Sequence, residues 1–384
     1  MRVLIVQDFA QGGGAEILVG GLVEGLRLRG LQTKLTVAET SSGSQSPLGL
    51  ASRCCSLESW HRLRRIVTDF QPDVAILAMV LQRHSPTCLP ALGHTPCVYW
   101  AQMYESICPV GTRQLPDGRP CEAKSGVPCL TNSCVSWKAW GPLMLQKWLW
   151  NRWNRGLDRY LATSRWLAGR LRSEGQPVDG VLYPGVPVPE GRSRPAAVPR
   201  IVCVSRLSKE KGVENLLSAF GNVSKKHPEV RLDIIGGGDC ESRLRRMTAG
   251  MGLEQTVSFS GELPPAQVQD RVRGAWMQVV PSVWQEPFGL VAVEAQLLHI
   301  PVVAGDIGGL REIVKDEESG LLVPPGKPGA LAAALERLLS DRALGERLAE
   351  KGAQSAREKF TLDHCLDRWV EMLRSLSARR DRPD

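Results

Sequence analysis

No stretch of this sequence reaches 18 uninterrupted apolar residues, so nothing in it reads as a membrane-spanning helix. The N-terminus, MRVLIVQDFA, has one basic residue and an apolar run that stops at Val6, too short for the core of a signal peptide. The expected location is therefore cytoplasmic. Paired C-x2-C knuckles are also missing. Eleven cysteines, an odd number spread over 384 residues, do not read as a disulfide framework. No G-x-G-x-x-G follows a strand-like run, and no acidic residue ends a recognisable second strand, which argues against a dinucleotide site. Nucleic-acid recognition motifs are absent as well, so no nucleic-acid partner is expected and the net charge of +8 points to some other anion.

What is present suits a two-domain enzyme. A chain of 384 residues exceeds what one hydrophobic core usually supports, and 43% apolar with 23% charged residues leaves enough for two cores. Short continuous apolar runs recur at Arg2–Val6, Thr33–Val37, Asp73–Leu77, Pro96–Trp100 and Arg159–Ala162. After a proline-rich break they resume at Ile201–Val204, Val230–Ile235, Val257–Phe259, Met277–Val280 and Pro301–Ala304. Continuous rather than alternating runs predict parallel strands covered on both faces. Helical patterns lie between them: Ala15 to Arg29, with Ile17, Leu18, Leu22 and Leu26 at core spacing, then 213–226, 239–250, 289–298 and 328–340. The expected divisions are 1–184, a linker over 185–199, 200–360, and a C-terminal helix with a basic tail over 361–384, of which Ser377–Asp384 reads as disordered.

Three stretches carry candidate chemistry. Trp284–Ala295 (WQEPFGLVAVEA) follows a strand, passes through a Pro-Phe-Gly turn and enters a helix. Its Gly289 frees helix N-terminal amides for an anion, and the spacing of Glu286 and Glu294 lets both carboxylates face one ligand such as a sugar. Val204–Gly212 (VSRLSKEKG) ends a strand in Arg206 and, five residues on, Lys211, two cations suited to a diphosphate at the strand's C-terminal end. Gln11–Glu16 (QGGGAE) puts Gly13 and Gly14 after the first strand, where glycine permits close backbone approach.

With LDIIGGGD, VSFSGEL, IPVVAGDIGGLREIV and SGLLVPPG, these stretches resemble the donor half of family-4 retaining glycosyltransferases; GGGAE, LATSRWLAGRL and VLYPGV resemble the other half more loosely. The resemblance implies an α/β GT-B fold: two Rossmann-like βα domains facing across a cleft, with the C-terminal helix packing back on the N-domain. It implies transfer of a sugar from a UDP- or GDP-linked donor to a hydroxyl of a glycan or lipid-linked acceptor. By resemblance, Arg206 and Lys211 bind the diphosphate, Glu286 contacts the sugar, and amides at Phe288, Gly289 and Leu290 hold sugar and phosphate. Glu294 meets the ribose, and the Gly13–Gly14 loop covers the phosphates. Two cations in place of a metal imply that no cofactor is required.

Three features stand apart from that pattern. Members with a Cys-Pro motif like Cys108-Pro109 often carry His-Asp six and five residues before the cysteine; here those positions are Gln102 and Met103, and Gln cannot titrate. This substitution keeps open a non-catalytic, sugar-nucleotide-binding role. Cys108, Cys121, Cys129 and Cys134 fall within 27 residues, a spacing that admits a structural zinc or free thiols. Finally, Trp137, Trp140, Trp148, Trp150 and Trp153 lie among Lys138, Lys147, Arg152 and Arg155, with no acidic residue between Ala123 and Leu157. Segment 137–155 reads either as an anionic-membrane contact on the inner face or as a helix burying its tryptophans.

Overall fold

A computed structural model describes residues 1–9, 13–38 and 54–380 and divides the chain into two compact units. The first comprises Met1–Gly185 together with the C-terminal helix Leu362–Arg380; the second is Val186–Thr361.

The first unit is built on six parallel strands: β1 (Arg2–Gln7), β2 (Gln32–Val37), β3 (Val74–Ala78), β4 (Cys97–Ala101), β5 (Arg159–Ala162) and β6 (Gly180–Val181), in the order β2-β1-β3-β4-β5-β6. All five residues of β3 and of β4 are buried, as strands covered on both faces must be. The helix after β1, Gly14–Leu28, buries Val19, Leu22, Val23 and Leu26. Ile17, expected on that face, is instead 60% exposed. The buried stripe begins two residues later, because the helix docks through its second and later turns.

The C-terminal helix packs on this unit, as expected. Cys365, Leu366, Trp369, Val370, Leu373 and Leu376 join the core around β1, β3 and β4. The Trp369 ring meets Trp100 edge-to-face at 5.4 Å. A Cβ at Gly25 would fall 2.2 Å from Leu366, so the absence of a side chain there sets how closely the helix approaches. Arg29 anchors its first turns through Asp363 at 2.9 Å and Asp367 at 3.0 Å. Burial of Leu366, Trp369 and Leu373 contributes about 1.5–3 kcal/mol each. The helix runs through Arg380, so residues 377–380 are helical rather than disordered; 381–384 lie outside the described residues.

The second unit repeats the plan with β7 (Arg200–Val204), β8 (Arg231–Ile235), β9 (Val257–Gly261), β10 (Met277–Val280), β11 (Val302–Gly305) and β12 (Leu321–Val323), ordered β12-β11-β10-β7-β8-β9. From β7 the chain steps outward through β8 and β9, then returns to lay β10 on the other side of β7. The proline-rich stretch before β7 is extended, as its prolines require, and packs on this unit. Ser193 N donates to Leu298 O at 3.1 Å and Ala196 N to Gly274 O at 2.9 Å.

Candidate functional site

The site of the second unit forms where β7 and β10 end side by side, the point at which strand order reverses. Open α/β sheets leave a crevice for ligands there, because the loops leaving the two strands diverge. After β7 the chain turns through Ser205–Ser208 into a short 3-10 turn, Lys209–Lys211, and then into the helix Val213–Lys226. Gly212 between them is left-handed (φ 68°), and a Cβ on it would lie 2.1 Å from Pro281 O just beyond β10. Glycine is thus needed both for the dihedral and for the contact. Val283 N donates to Glu210 O at 2.9 Å, tying the two strand exits together.

This closeness brings Lys211 to Glu286. Lys211 Nζ donates to Glu286 Oε1 at 2.6 Å, and Ser282 Oγ donates to the same oxygen at 2.6 Å. The lysine side chain is 20% exposed and the glutamate 8%. The ammonium also lies 5.4 Å from the centre of the Trp284 ring, a cation–π distance. Behind the glutamate, Gly309 N donates to Glu286 O at 2.7 Å, and a Cβ on left-handed Gly308 would fall 2.5 Å from that oxygen. The AGDIGG turn after β11 therefore forms the back wall of the Glu-Pro-Phe-Gly turn. A charge-assisted bond anchored this way holds its carboxylate in a single orientation.

Arg206 is placed differently. It is 67% exposed and donates to Glu210 Oε1 at 3.1 Å, while Ser208 Oγ donates to the same atom at 2.5 Å. Burial works against ionisation of Glu210, but the Ser208 hydroxyl, its own backbone amide and Arg206 outweigh it and hold the carboxyl below its ordinary value. Glu210 was not singled out from sequence, although its i,i+4 spacing from Arg206 is a readable signal. Phe288 is buried edge-to-face on Phe360 at 5.4 Å. Gly289 precedes the helix Leu290–Leu297, and both Gly289 and Leu290 are half-buried. Glu294 projects from that helix to solvent, and enough protein surrounds it for desolvation to hold its carboxyl above the ordinary range.

In the first unit, Gly13 and Gly14 are exposed at the start of the helix after β1, and Gly13 N donates to Glu16 Oε2 at 2.7 Å. Gln11 and Gly12 of that loop lie outside the described residues. Gln102, one residue past β4, is buried, and neither its amide nitrogen nor its oxygen has a hydrogen-bond partner among the described residues. Thr163, one residue past neighbouring β5, has an equally unpartnered buried hydroxyl. Beside these strand ends sits an acid pair that sequence reading did not assign. Asp8 accepts from Gln82 N at 2.6 Å and His84 N at 2.8 Å. Glu105 accepts from Tyr99 OH at 2.8 Å and Val80 N at 3.0 Å. Burial, then the charge of Glu105, pushes Asp8 up to about 8 against the pull of the His84, Gln82 and Arg83 amides.

The four cysteines line one cavity, together with Arg113, Lys124 and Pro128. All are free thiols. Desolvation, followed by the other thiols, raises both Cys129 and Cys134. Cys121 and Cys134 turn their sulfurs towards local carbonyls, Ala123 O at 3.8 Å and Asn132 O at 3.9 Å. Among the described residues no group of three or more His, Cys, Asp or Glu is arranged to hold a metal ion. In this structure the quartet is a cluster of free thiols, one of the two readings that its spacing admits.

Residues 192–355, covering both strand exits of the second unit, match the family described as glycosyl transferases group 1. The solved structure of sucrose-phosphate synthase from Thermosynechococcus elongatus superposes with a TM-score of 0.76 at 19% identity, covering 98% of this chain and 99% of that one. The fold is GT-B. Among curated relatives, this GT-B chain is 37% identical over 199 residues to an exopolysaccharide phosphotransferase of Streptomyces coelicolor, covering 51% of this chain and 21% of the relative. It is 35% identical over 213 residues to the phosphatidyl-myo-inositol mannosyltransferase of Mycobacterium leprae, covering 53% and 56%. The chain thus spans between about a fifth and a little over half of the length of these two relatives.

Proposed function

We propose that this GT-B chain is a retaining glycosyltransferase that moves a sugar from a UDP- or GDP-linked donor to a hydroxyl of a glycan or lipid-linked acceptor, on the cytoplasmic side. The observation that carries the reading is the Lys211–Glu286 pair, anchored by Ser282 where the sheet of the second unit reverses. A cation and a carboxylate on adjacent strand exits suit the two halves of a nucleotide sugar. Lys211, with Arg206 beside it, neutralises the diphosphate, while Glu286 accepts hydrogen bonds from sugar hydroxyls. The amides of Phe288, Gly289 and Leu290 face the phosphate and Glu294 takes the ribose. At the N-terminus of the helix after β1, Gly13 and Gly14 bind a phosphate through backbone amides, the Gly13 amide exchanging the Glu16 carboxylate for it. The family match over residues 192–355 and the mannosyltransferase relative support the same class.

In the proposed reaction the bond between the anomeric carbon and the diphosphate oxygen breaks, and the electron pair leaves with the nucleoside diphosphate. The acceptor oxygen attacks on the same face, and its proton passes to the departing phosphate. Lys211 and Arg206 stabilise the charge as it develops, and with two cations in that role no divalent ion is required. A non-catalytic sugar-nucleotide-binding role is the second reading, favoured by Gln102, which cannot exchange a proton. Thermal-shift titration with a panel of nucleotide sugars, followed by assay of nucleoside diphosphate release, tests both. A shift with release, both lost in Lys211→Ala, is expected. A shift without release on any acceptor favours the second reading, and no shift at all overturns both.

A further inference from the structure

The helix Trp137–Trp153 has two faces of different character. Leu143, Gln146 and Trp150 point into the first unit, with Trp150 wholly buried and donating to Gln176 Oε1 at 3.1 Å. That face anchors the helix to the core, and Cys54 Sγ donates to Pro142 O at 2.8 Å. Gly141, Leu145, Trp148 and Arg152 follow a single outward line, and on this side of the helix three apolar side chains face solvent: Trp137 is 74%, Leu145 48% and Trp148 61% exposed. The adjoining helix Val127–Thr131, held by a bond from Trp140 Nε1 to Gly126 O at 2.9 Å, adds Val127 and Leu130. Two exposed indoles on one surface have no role in the packing of this unit.

From residue 123 to residue 157, along this helix and its flanks, the charges have one sign. Lys124, Lys138, Arg152 and Arg155 are exposed, and none forms a salt bridge among the described residues. The nearest acids in sequence are already engaged: Glu122 pairs with Arg170 at 2.8 Å, and Asp158 accepts from Cys97 N at 2.7 Å. Indoles favour the boundary between headgroups and acyl chains, where the ring is sheltered and its N–H stays wet. Lysine and arginine flanking such a helix reach lipid phosphates while their stems cover apolar surface.

We propose that this face docks on an anionic lipid bilayer, with the helix lying in the plane of the interface. Trp137, Leu145 and Trp148 sit at headgroup depth, and Lys138, Arg152 and Arg155 bind lipid phosphates. The inference goes beyond the sugar-transfer reading and does not depend on it, since docking needs neither donor nor turnover.

Co-sedimentation of the whole chain with mixed phosphatidylglycerol–phosphatidylcholine vesicles tests it. Binding is expected at low salt, lost on raising salt and absent on pure phosphatidylcholine. Trp137→Ser with Trp148→Ser should weaken partition by at least about tenfold, since each indole loses its interfacial burial. Lys138→Glu with Arg152→Glu should weaken it by more than about 25-fold, at roughly fivefold for each cation removed. All four positions are exposed, so unchanged melting temperatures verify folding. The proposal is overturned if the protein stays in solution with anionic vesicles, or if the Trp double variant binds like the parent. It is equally overturned if sedimentation equilibrium shows a dimer that the Trp variant converts to monomer, which would make a second copy the occupant.

Discussion

Replacing Lys211 with alanine should have two separable consequences, both of which follow from the 2.6 Å contact with Glu286. The first is on stability. Glu286 is 8% exposed, and its remaining side-chain donor to Oε1 is Ser282, so the carboxylate would remain buried with a neutral partner in place of a cation. Removing one side of a fully buried pair costs about 3–5 kcal/mol, and a charged hydrogen bond about 1.5–3 kcal/mol. With Lys211 itself 20% exposed, the lower range applies: about 2–3 kcal/mol. Glu286→Gln should cost less, about 1 kcal/mol, because the lysine it strands can reach water. The second consequence is on rate. If Lys211 neutralises the leaving diphosphate, its loss removes about 3–4 kcal/mol of transition-state stabilisation, a few hundred-fold in turnover. Urea denaturation of the two single variants and the double variant gives the coupling energy, and product release gives the rate. A coupling near zero would refute the mutual dependence of the pair. Normal turnover in a folded Lys211→Ala would refute the diphosphate assignment even if the stability result held.

Other outcomes follow from other parts of the molecule. Gly212→Ala introduces a Cβ 2.1 Å from Pro281 O at a left-handed position, so it should lower stability by at least about 1 kcal/mol and turnover with it, because the strain falls on the backbone that carries Lys211. Gln102→Leu replaces a buried amide without partners, so the urea midpoint should rise while turnover falls; a fall in both would show that the amide serves the fold. The Asp8–Glu105 pair keeps a proton to about 8, whereas an unfolded carboxyl releases it near pH ~4. Stability should therefore fall as pH rises through that window, by at most about 1.4 kcal/mol per pH unit. His84, pushed down to about 4 by burial, opposes this only below about pH 6.5, so urea midpoints between pH 6.5 and 8 isolate the acid pair. Asp8→Asn should flatten that slope, and a parent protein without any slope would refute the buried proton.

Much of this fold was readable because its strands are continuous apolar runs. Of the twelve strands among the described residues, nine stand within about a residue of where the runs predict them and β9 runs two residues further. The two not anticipated, β6 and β12, are two and three residues long at sheet edges, too short for any period. The helix Arg342–Lys359 was missed because the face it buries consists largely of Gly345, Ala349, Gly352, Ala353 and Ala356; small residues let helices approach closely but leave a weak hydrophobic signature. At the site, the identity of Lys211 and Glu286 was legible and their mutual contact was not, since it depends on β7 and β10 being neighbours. The sequence pairs Arg206 with Lys211 on one anion; that Arg206 also has Glu210 as a partner is a competition that residue type alone leaves undecided. The acid pair of the first unit gave no local signal, because Asp8 and Glu105 are nearly a hundred positions apart and influence each other only through strand order.

The C-terminal helix of the first unit follows the whole of the second in sequence, and this sets an order of assembly. As the chain emerges from the ribosome, β1 to β6 appear before β7 to β12 but lack Trp369, Leu366 and Leu373 from their core until residues 362–376 are made. The second unit, contiguous from Val186 to Thr361, has all its own strands well before then. The first unit, begun before the second, is thus completed after it, and in that interval its exposed apolar surface most needs protection. A chain cut before Leu362 would forfeit the first unit while leaving the second intact.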